Sequence, residues 1–282
     1  MKRREFIAVT AALLVSPQRS WAQGKPRRVG FLGVGKLGNW GQPTLQKAWL
    51  EGLRNHGWID GRNLIIEYRY GRSQDRLPAL AAELVALAPD LLVAANPQAA
   101  VALKSATANI PIVFVGVADP VGIGLVQSLS RPGGNITGLA TFVPGQFTGK
   151  MLQTLQELVP AASKIAILVN PGNPIHRLVV AEELPQTAQK LGLTLPVVEA
   201  TTAQELDIAF ASAAAQHADA IVPFGDELTV NHVTRVTALA AEHRLPAIYN
   251  IRLFTTNGGL VSYGSETQPL FASRRRVYKY TA

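Results

Sequence analysis

The chain has 282 residues, is 48% hydrophobic, and carries 27 Lys and Arg against 19 Asp and Glu, a formal charge of +8. The absence of cysteine excludes disulfides, iron–sulfur ligation and thiol catalysis. Eight of the bases but only one acid lie in residues 1–22 and 274–282, so the body between them is close to neutral and no basic face for nucleic acid is expected.

At the N-terminus, Lys2-Arg3-Arg4, the apolar run Phe6 to Val15 and the small-residue site Ser20-Trp21-Ala22 form an export signal over 1–22. The run is too short to span a bilayer permanently. The expected product is soluble, begins near Gln23 and lies beyond the cytoplasmic membrane, in the periplasm. Arg3-Arg4 followed by Glu5-Phe6-Ile7 also fits a twin-arginine signal, and both export routes stay open.

Beyond the signal, short β-branched runs alternate with helical patterns, as in repeated βα units on a parallel sheet. Strands are predicted at Arg27 to Val34, Asn63 to Tyr70, Asp90 to Ala95, Pro111 to Val117 and Ile136 to Phe142. Between them fall helices at Thr44 to His56, Arg76 to Leu87, Pro97 to Thr107 and Val121 to Leu129. Leu77, Leu80, Ala81, Leu84 and Ala88 make a core stripe. After the turn Arg131-Pro132-Gly133-Gly134-Asn135 the pattern restarts. Helices are predicted at 147–158, 175–191, 203–216 and 229–243, and strands at 164–169, 193–198, 218–224 and 246–250. A last strand follows at Leu260 to Tyr263.

The fold class expected is therefore α/β, with two Rossmann-like lobes of parallel sheet joined by a hinge. The N-terminal lobe takes 24–138 plus 259–273, the strand near 260 returning to it. The C-terminal lobe takes 142–254, and 274–282 is a basic tail.

Ligands of open α/β sheets sit outside the carboxyl ends of the strands, and here those ends are polar or small. Gly33 to Trp40 follow the first strand, Asn96-Pro97-Gln98 the third, and Asp119-Pro120 the fourth. In the second half come Asn170-Pro171-Gly172-Asn173-Pro174, Gly225-Asp226-Glu227 and Tyr249-Asn250. Helix starts among these turns offer unpaired N–H groups to a carboxylate. Each Asn-Pro or Asp-Pro pair also reads as ordinary capping chemistry, and only their joint placement points to a site. The candidate ligand-binding residues are Gly35 and Trp40 after the first strand, Asn96 and Gln98 for a carboxylate, and Asp119 and Asp226 for a positive or hydroxyl group. Asn170 and Asn173 face them from the opposite lobe, with Tyr249 and Tyr263 as walls. No catalytic residue, metal site or cofactor is predicted.

Gly33-Val34-Gly35-Lys36-Leu37-Gly38 matches the dinucleotide pattern G-x-G-x-x-G and supplies the rival reading, an exported dinucleotide-dependent oxidoreductase. The match is weak. Asn39, Trp40, Gly41 and Pro43 delay the helix that should open within the motif, and the expected acid at the end of the second strand is missing, since Tyr70-Gly71 ends it.

A family resemblance is carried by Gly57-Trp58-Ile59-Asp60-Gly61-Arg62-Asn63, Asp75-Arg76-Leu77-Pro78-Ala79-Leu80, Ile110-Pro111-Ile112-Val113-Phe114 and Asp119-Pro120-Val121. It continues in Leu129-Ser130-Arg131-Pro132-Gly133-Gly134-Asn135, Leu168-Val169-Asn170-Pro171 and Gly258-Gly259-Leu260-Val261-Ser262-Tyr263-Gly264. The chain resembles the periplasmic substrate-binding proteins of ABC transporters, in the group of tryptophan- and tyrosine-type binders with the type I periplasmic-binding-protein fold. The resemblance implies a monomer without enzymatic activity that holds a small amino acid-like or carboxylate ligand, aromatic in some members, between closing lobes. It also implies delivery to an ABC permease in the cytoplasmic membrane. The pattern departs at the end: where the family continues for several tens of residues, Ser265 to Ala282 run into Arg274-Arg275-Arg276, which implies a shortened C-terminus and two hinge crossings instead of three.

Overall fold

The computed structural model describes residues 25–35, 43–71, 73–141 and 147–264. The export signal, Trp40, most of the glycine-rich loop and the basic tail lie outside the described residues.

The first lobe runs β1 (Arg27–Val34), α1 (Pro43–Asn55), β2 (Leu64–Gly71), a 3-10 turn (Gln74–Arg76), α2 (Leu77–Ala86), β3 (Leu91–Ala94), α3 (Pro97–Ala106), β4 (Ile112–Val117) and β5 (Ile136–Ala140). Its sheet has the order β2-β1-β3-β4-β5 and is parallel throughout. Central strands covered on both faces must be apolar on both. Accordingly Phe31, Leu32, Leu92, Val93 and Ala94 are all buried.

The second lobe runs α4 (Phe147–Leu158), β6 (Ile165–Val169), α5 (Pro174–Leu178), a π-helical turn (Val179–Glu183), α6 (Leu184–Leu191), β7 (Val197–Glu199), α7 (Ala203–Ala215) and β8 (Ala220–Pro223). It continues through α8 (Glu227–Asn231), α9 (Val233–Glu242), β9 (Ile248–Tyr249), α10 (Arg252–Thr255) and β10 (Val261–Ser262). Strands pair in the order β7-β6-β8, and the bridge Ile221↔Ala247 joins this group to the pair β9–β10.

Three expectations change. The strand near 260 pairs with β9, Val261 opposite Ile248 and Ser262 opposite Tyr249, so residues 261 and 262 belong to the second lobe's sheet and not to the first. The short turn Gly258-Gly259 holds the chain beside α10, where Gly259 N donates to Phe254 O, and that brings β10 back to its neighbour in sequence. Secondly, 121–129 is a series of turns and not a helix. Gly124 sits at φ +69 and Asp119 at φ +37, and left-handed residues at this spacing interrupt helical propagation. Thirdly, the helix expected at 229–243 divides at His232 into α8 and α9, with α8 starting two residues early.

One apolar cluster runs through both lobes, from Leu32, Leu92 and Phe114 to Met151, Ile167 and Val169. The lobes touch where α3 meets α5 and where Gly122 lies against Leu178. A side cluster around Phe31, Trp58 and Ile66 backs the first sheet, and another around Phe210, Leu239 and Tyr249 backs the second.

Candidate functional site

The carboxyl ends of the two sheets face each other across this contact. From the first lobe, Asn96 follows β3 and is the N-cap of α3. Its Oδ1 accepts from Ala99 N at 2.9 Å, the bond of an N-cap, and Pro97 occupies the first helical turn. The other end of the same amide, Nδ2, is buried and has no hydrogen-bond partner. Gln98 is 7% exposed and leaves Oε1 buried and unpartnered as well. After β2, Gln74 reaches across the lobes and donates from Nε2 to Asn170 Oδ1 at 3.2 Å.

From the second lobe, Asn170 follows β6 and organises its surroundings. Oδ1 also accepts from Gly172 N at 3.0 Å, Nδ2 donates to Asp226 Oδ2 at 2.6 Å, and the backbone N donates to His176 Nδ1 at 2.9 Å. His176 lies on α5, buried and packed on Phe224. Burial lowers its pKa, opposed by the nearby Asp226 charge and by its bond to the Gly225 backbone, so the ring is neutral with Nδ1 as acceptor.

Asp226 follows β8 and caps α8. Oδ1 accepts from Leu228 N and Thr229 N, while the Thr229 hydroxyl accepts from Asp226 N, a complete capping box. Both Asp226 oxygens are thereby engaged. Its neighbour Glu227 points elsewhere. Part of that side chain remains accessible, but Oε2 is fully buried without a partner, as is Asn231 Oδ1 one helical turn further on. Burial, and secondly the Asp226 charge, push the Glu227 carboxyl up to about 8. The Asn96 amide of the opposite lobe acts in the other direction, although no well-aligned hydrogen bond joins Asn96 Nδ2 to it. Among the described residues, four buried polar atoms thus remain unsatisfied on the two elements that meet at Asn96 and Glu227: Asn96 and Gln98 at the start of α3, and Glu227 and Asn231 on α8.

The other predicted residues are placed as follows. Asp119 follows β4 in a left-handed conformation, its Oδ1 accepting from Gly122 N at 2.9 Å. The bulge that shifts the β4/β5 register between Val115 and Val117, around Gly116 at φ +73, sets the direction of this exit. Asn173 is an N-cap, accepting from Ile175 N at 3.0 Å. Gly35 stands at φ +99 and donates to Gly71 O. Tyr249, expected as a wall, is instead a core residue: it is 1% exposed and stacks on Phe254 with ring centroids 4.6 Å apart. Tyr263 is 40% exposed and leans on Phe147, centroids 5.7 Å apart. A separate groove of about 340 Å³ lies behind the second lobe, lined by Arg244, Pro246, Gly258 and Leu260 among others. It holds none of the unsatisfied groups. Gln74, His176, Glu227 and Asn231 were not singled out from sequence; for Glu227 the signal was the Asp226-x-x-Thr229 pattern, which assigns the preceding acid to the cap.

Over residues 43–270 the chain matches the family described as ABC transporter substrate binding protein. The chain belongs to this family. A curated relative, the tyrosine-binding protein of Clostridioides difficile strain R20291, is 29% identical over 234 residues, 81% of this chain. The chain spans 66% of that relative's length. A conserved domain protein of Vibrio cholerae O1 biovar El Tor is 26% identical with a TM-score of 0.77, covering 88% of this chain and 82% of that one. A Streptococcus pneumoniae ABC domain in complex with L-Trp superposes with a TM-score of 0.75 at 24% identity over the same shares. The fold is thus the two-lobed α/β fold of type I periplasmic binding proteins, and the family is extracytoplasmic. No helix among the described residues is long and apolar enough to cross a membrane.

Proposed function

We propose that this chain is the extracytoplasmic solute-binding component of an ABC importer, and that it closes on a small amino acid held between the ends of its two sheets. One observation carries the reading: Asn96 Nδ2 and Gln98 Oε1 from one lobe, and Glu227 Oε2 and Asn231 Oδ1 from the other, are buried without partners. Each such group costs about 1–3 kcal/mol. A polar solute that satisfies them from both sides stabilises the closed arrangement by its differential affinity for it, which is how ligand capture and lobe closure become one event. Delivery to a cytoplasmic-membrane permease, action as a monomer, and export by either signal-dependent route belong to the same reading. The tyrosine and L-Trp named for the relatives make aromatic amino acids the first ligands to try.

The residues assigned to the ligand are Asn96, Gln98, Asn170, Asp119, Glu227 and Asn231, with Gly35 at the entrance and Tyr263 at the rim. Asp226 and Asn173 position them as caps. The test is a thermal-shift and calorimetry screen of the mature protein against the twenty L-amino acids, aromatic acids and NAD(P). A rise in melting temperature with an amino acid is the expected result; a rise with the dinucleotide alone would overturn the assignment in favour of an oxidoreductase using Gly33 to Gly38.

A further inference from the structure

We propose that Glu227 is the receptor for the ligand's amine, and that it takes up the ammonium by giving up its own proton, so that each binding event releases a proton to solvent. The proposal rests on the amino acid reading above and names the group within the ligand that closure selects.

The geometry starts from the division of labour between two adjacent acids. Asp226 spends both oxygens on α8 and on Asn170. Glu227, on the first turn of α8, has no such partner for Oε2. Once Glu227 is ionised, three of these four unsatisfied atoms are acceptors: Glu227 Oε2, Asn231 Oδ1 and, from the other lobe, Gln98 Oε1. An ammonium carries three donors and no acceptor. The single unsatisfied donor, Asn96 Nδ2, lies beside Glu227 and at the start of α3, where a carboxylate on the same small molecule would meet it. Gln98 therefore serves the amine and not the carboxylate expected from sequence.

The groups facing Glu227 decide its charge. From its own turn there is negative Asp226; from α5, behind Asp226, there is the neutral ring of His176; from α3 there is the uncharged Asn96 amide. Among the described residues that act on it none is a cation, and on that ground the carboxyl keeps its proton at neutral pH. An entering ammonium supplies the missing positive charge. The Glu227 O–H bond breaks, its proton passes to water, and the carboxylate left behind pairs with the ammonium; nothing is oxidised or reduced.

The experiment uses the wild-type mature protein first. Each of the twenty L-amino acids, and for every one that binds its desamino acid, is titrated by calorimetry at pH 6, 7 and 8 in two buffers of different ionisation enthalpy. With the free carboxyl at about 8, affinity should rise about ninefold from pH 6 to 7 and about fivefold from 7 to 8, with close to one proton released at pH 7. Glu227→Gln should remove both the pH dependence and the proton release, and weaken the amino acid far more than its desamino acid. Amino acid binding with no proton release, or Glu227→Gln unchanged, would overturn the inference while leaving the binding assignment standing. Binding of desamino acids as tight as that of amino acids would do the same. If no compound in the panel bound, both would fall. The proton count on the wild type decides the matter even if the variant does not fold.

Discussion

Replacing Glu227 by Gln should change how stability depends on pH, even with no ligand bound. In the folded chain this carboxyl titrates at about 8, against 4.5 for the ordinary group. Between those values the folded state holds a proton that the unfolded state has lost, so stability falls as pH rises and levels off above 8. The full shift corresponds to about 5 kcal/mol, and the part lying between pH 6.5 and 9 to about 2 kcal/mol. His176 has the opposite sign. Its folded pKa is depressed, so the unfolded state protonates first, and stability is lost as pH falls below 6.5. Between 6.5 and the folded value of His176 the two slopes offset each other, and above 6.5 only that of Glu227 remains. Urea unfolding of protein stripped of any co-purified solute is the assay. At an m-value of about 3 kcal/mol/M the wild-type midpoint should drop by roughly 0.7 M from pH 6.5 to 9, whereas Glu227→Gln should stay flat. Equal slopes in the two proteins would show that the buried carboxyl is ionised throughout, and the account of its environment would be refuted.

Gly138→Ala should cost more than 3 kcal/mol in urea unfolding, at roughly the upper end of overpacking effects, because its Cβ would fall 2.1 Å from the carbonyl oxygen of Phe114 on the paired strand, a backbone atom that cannot step aside. Ala88→Gly should raise stability by about 0.5–1 kcal/mol, since Ala88 follows the end of α2 at φ +47, where a Cβ is strained and glycine is not; an unchanged melting temperature would count against strain there. Asp226→Ala should destabilise by about 2–3 kcal/mol, more than a surface cap, since it also strands the buried Asn170 amide; a loss under 1 kcal/mol would mean that Asn170 finds another partner.

The alternation of strands and helices was readable because parallel strands such as Ile165–Val169 are apolar on both faces and are bounded by turn residues. What resisted reading was determined by contacts distant in sequence or by single backbone angles. Leu260 to Tyr263 has the same composition whichever sheet it joins, and its pairing with β9 is set by the tight turn beside Phe254. Val121 to Leu129 carries helical apolar spacing, but the left-handed angles at Asp119 and Gly124 defeat it. Tyr249 follows the pattern of a strand-end residue, yet a two-residue strand leaves it beneath α10 and inside the core. At the site, the polar strand ends were legible as a set. Which member of Asp226-Glu227 caps the helix and which faces the opposite lobe depends on helix phase, and that placed the free acid one residue beyond the expected one.

Closure itself can be probed at Gly172. A Cβ there would lie 1.9 Å from Gln74 Oε1, and Gln74 is the residue that bonds across to Asn170. The clash is with the far end of a flexible side chain and exists only while the lobes touch. In an opened molecule the same methyl group meets nothing from the first lobe. Gly172→Ala should therefore penalise the closed state alone, by about 1–2 kcal/mol for a displaced hydrogen bond and a shifted rotamer. Because a ligand that needs both lobes binds only the closed state, that penalty passes directly into affinity, which should weaken about 5- to 30-fold. Most of the change should be in the dissociation rate. The ligand-free unfolding midpoint should move much less than the affinity does, since neither lobe's core is touched. A comparable loss in both measurements would place the damage within the second lobe, and an unaltered affinity would mean that the Gln74–Asn170 contact does not form when the solute is held.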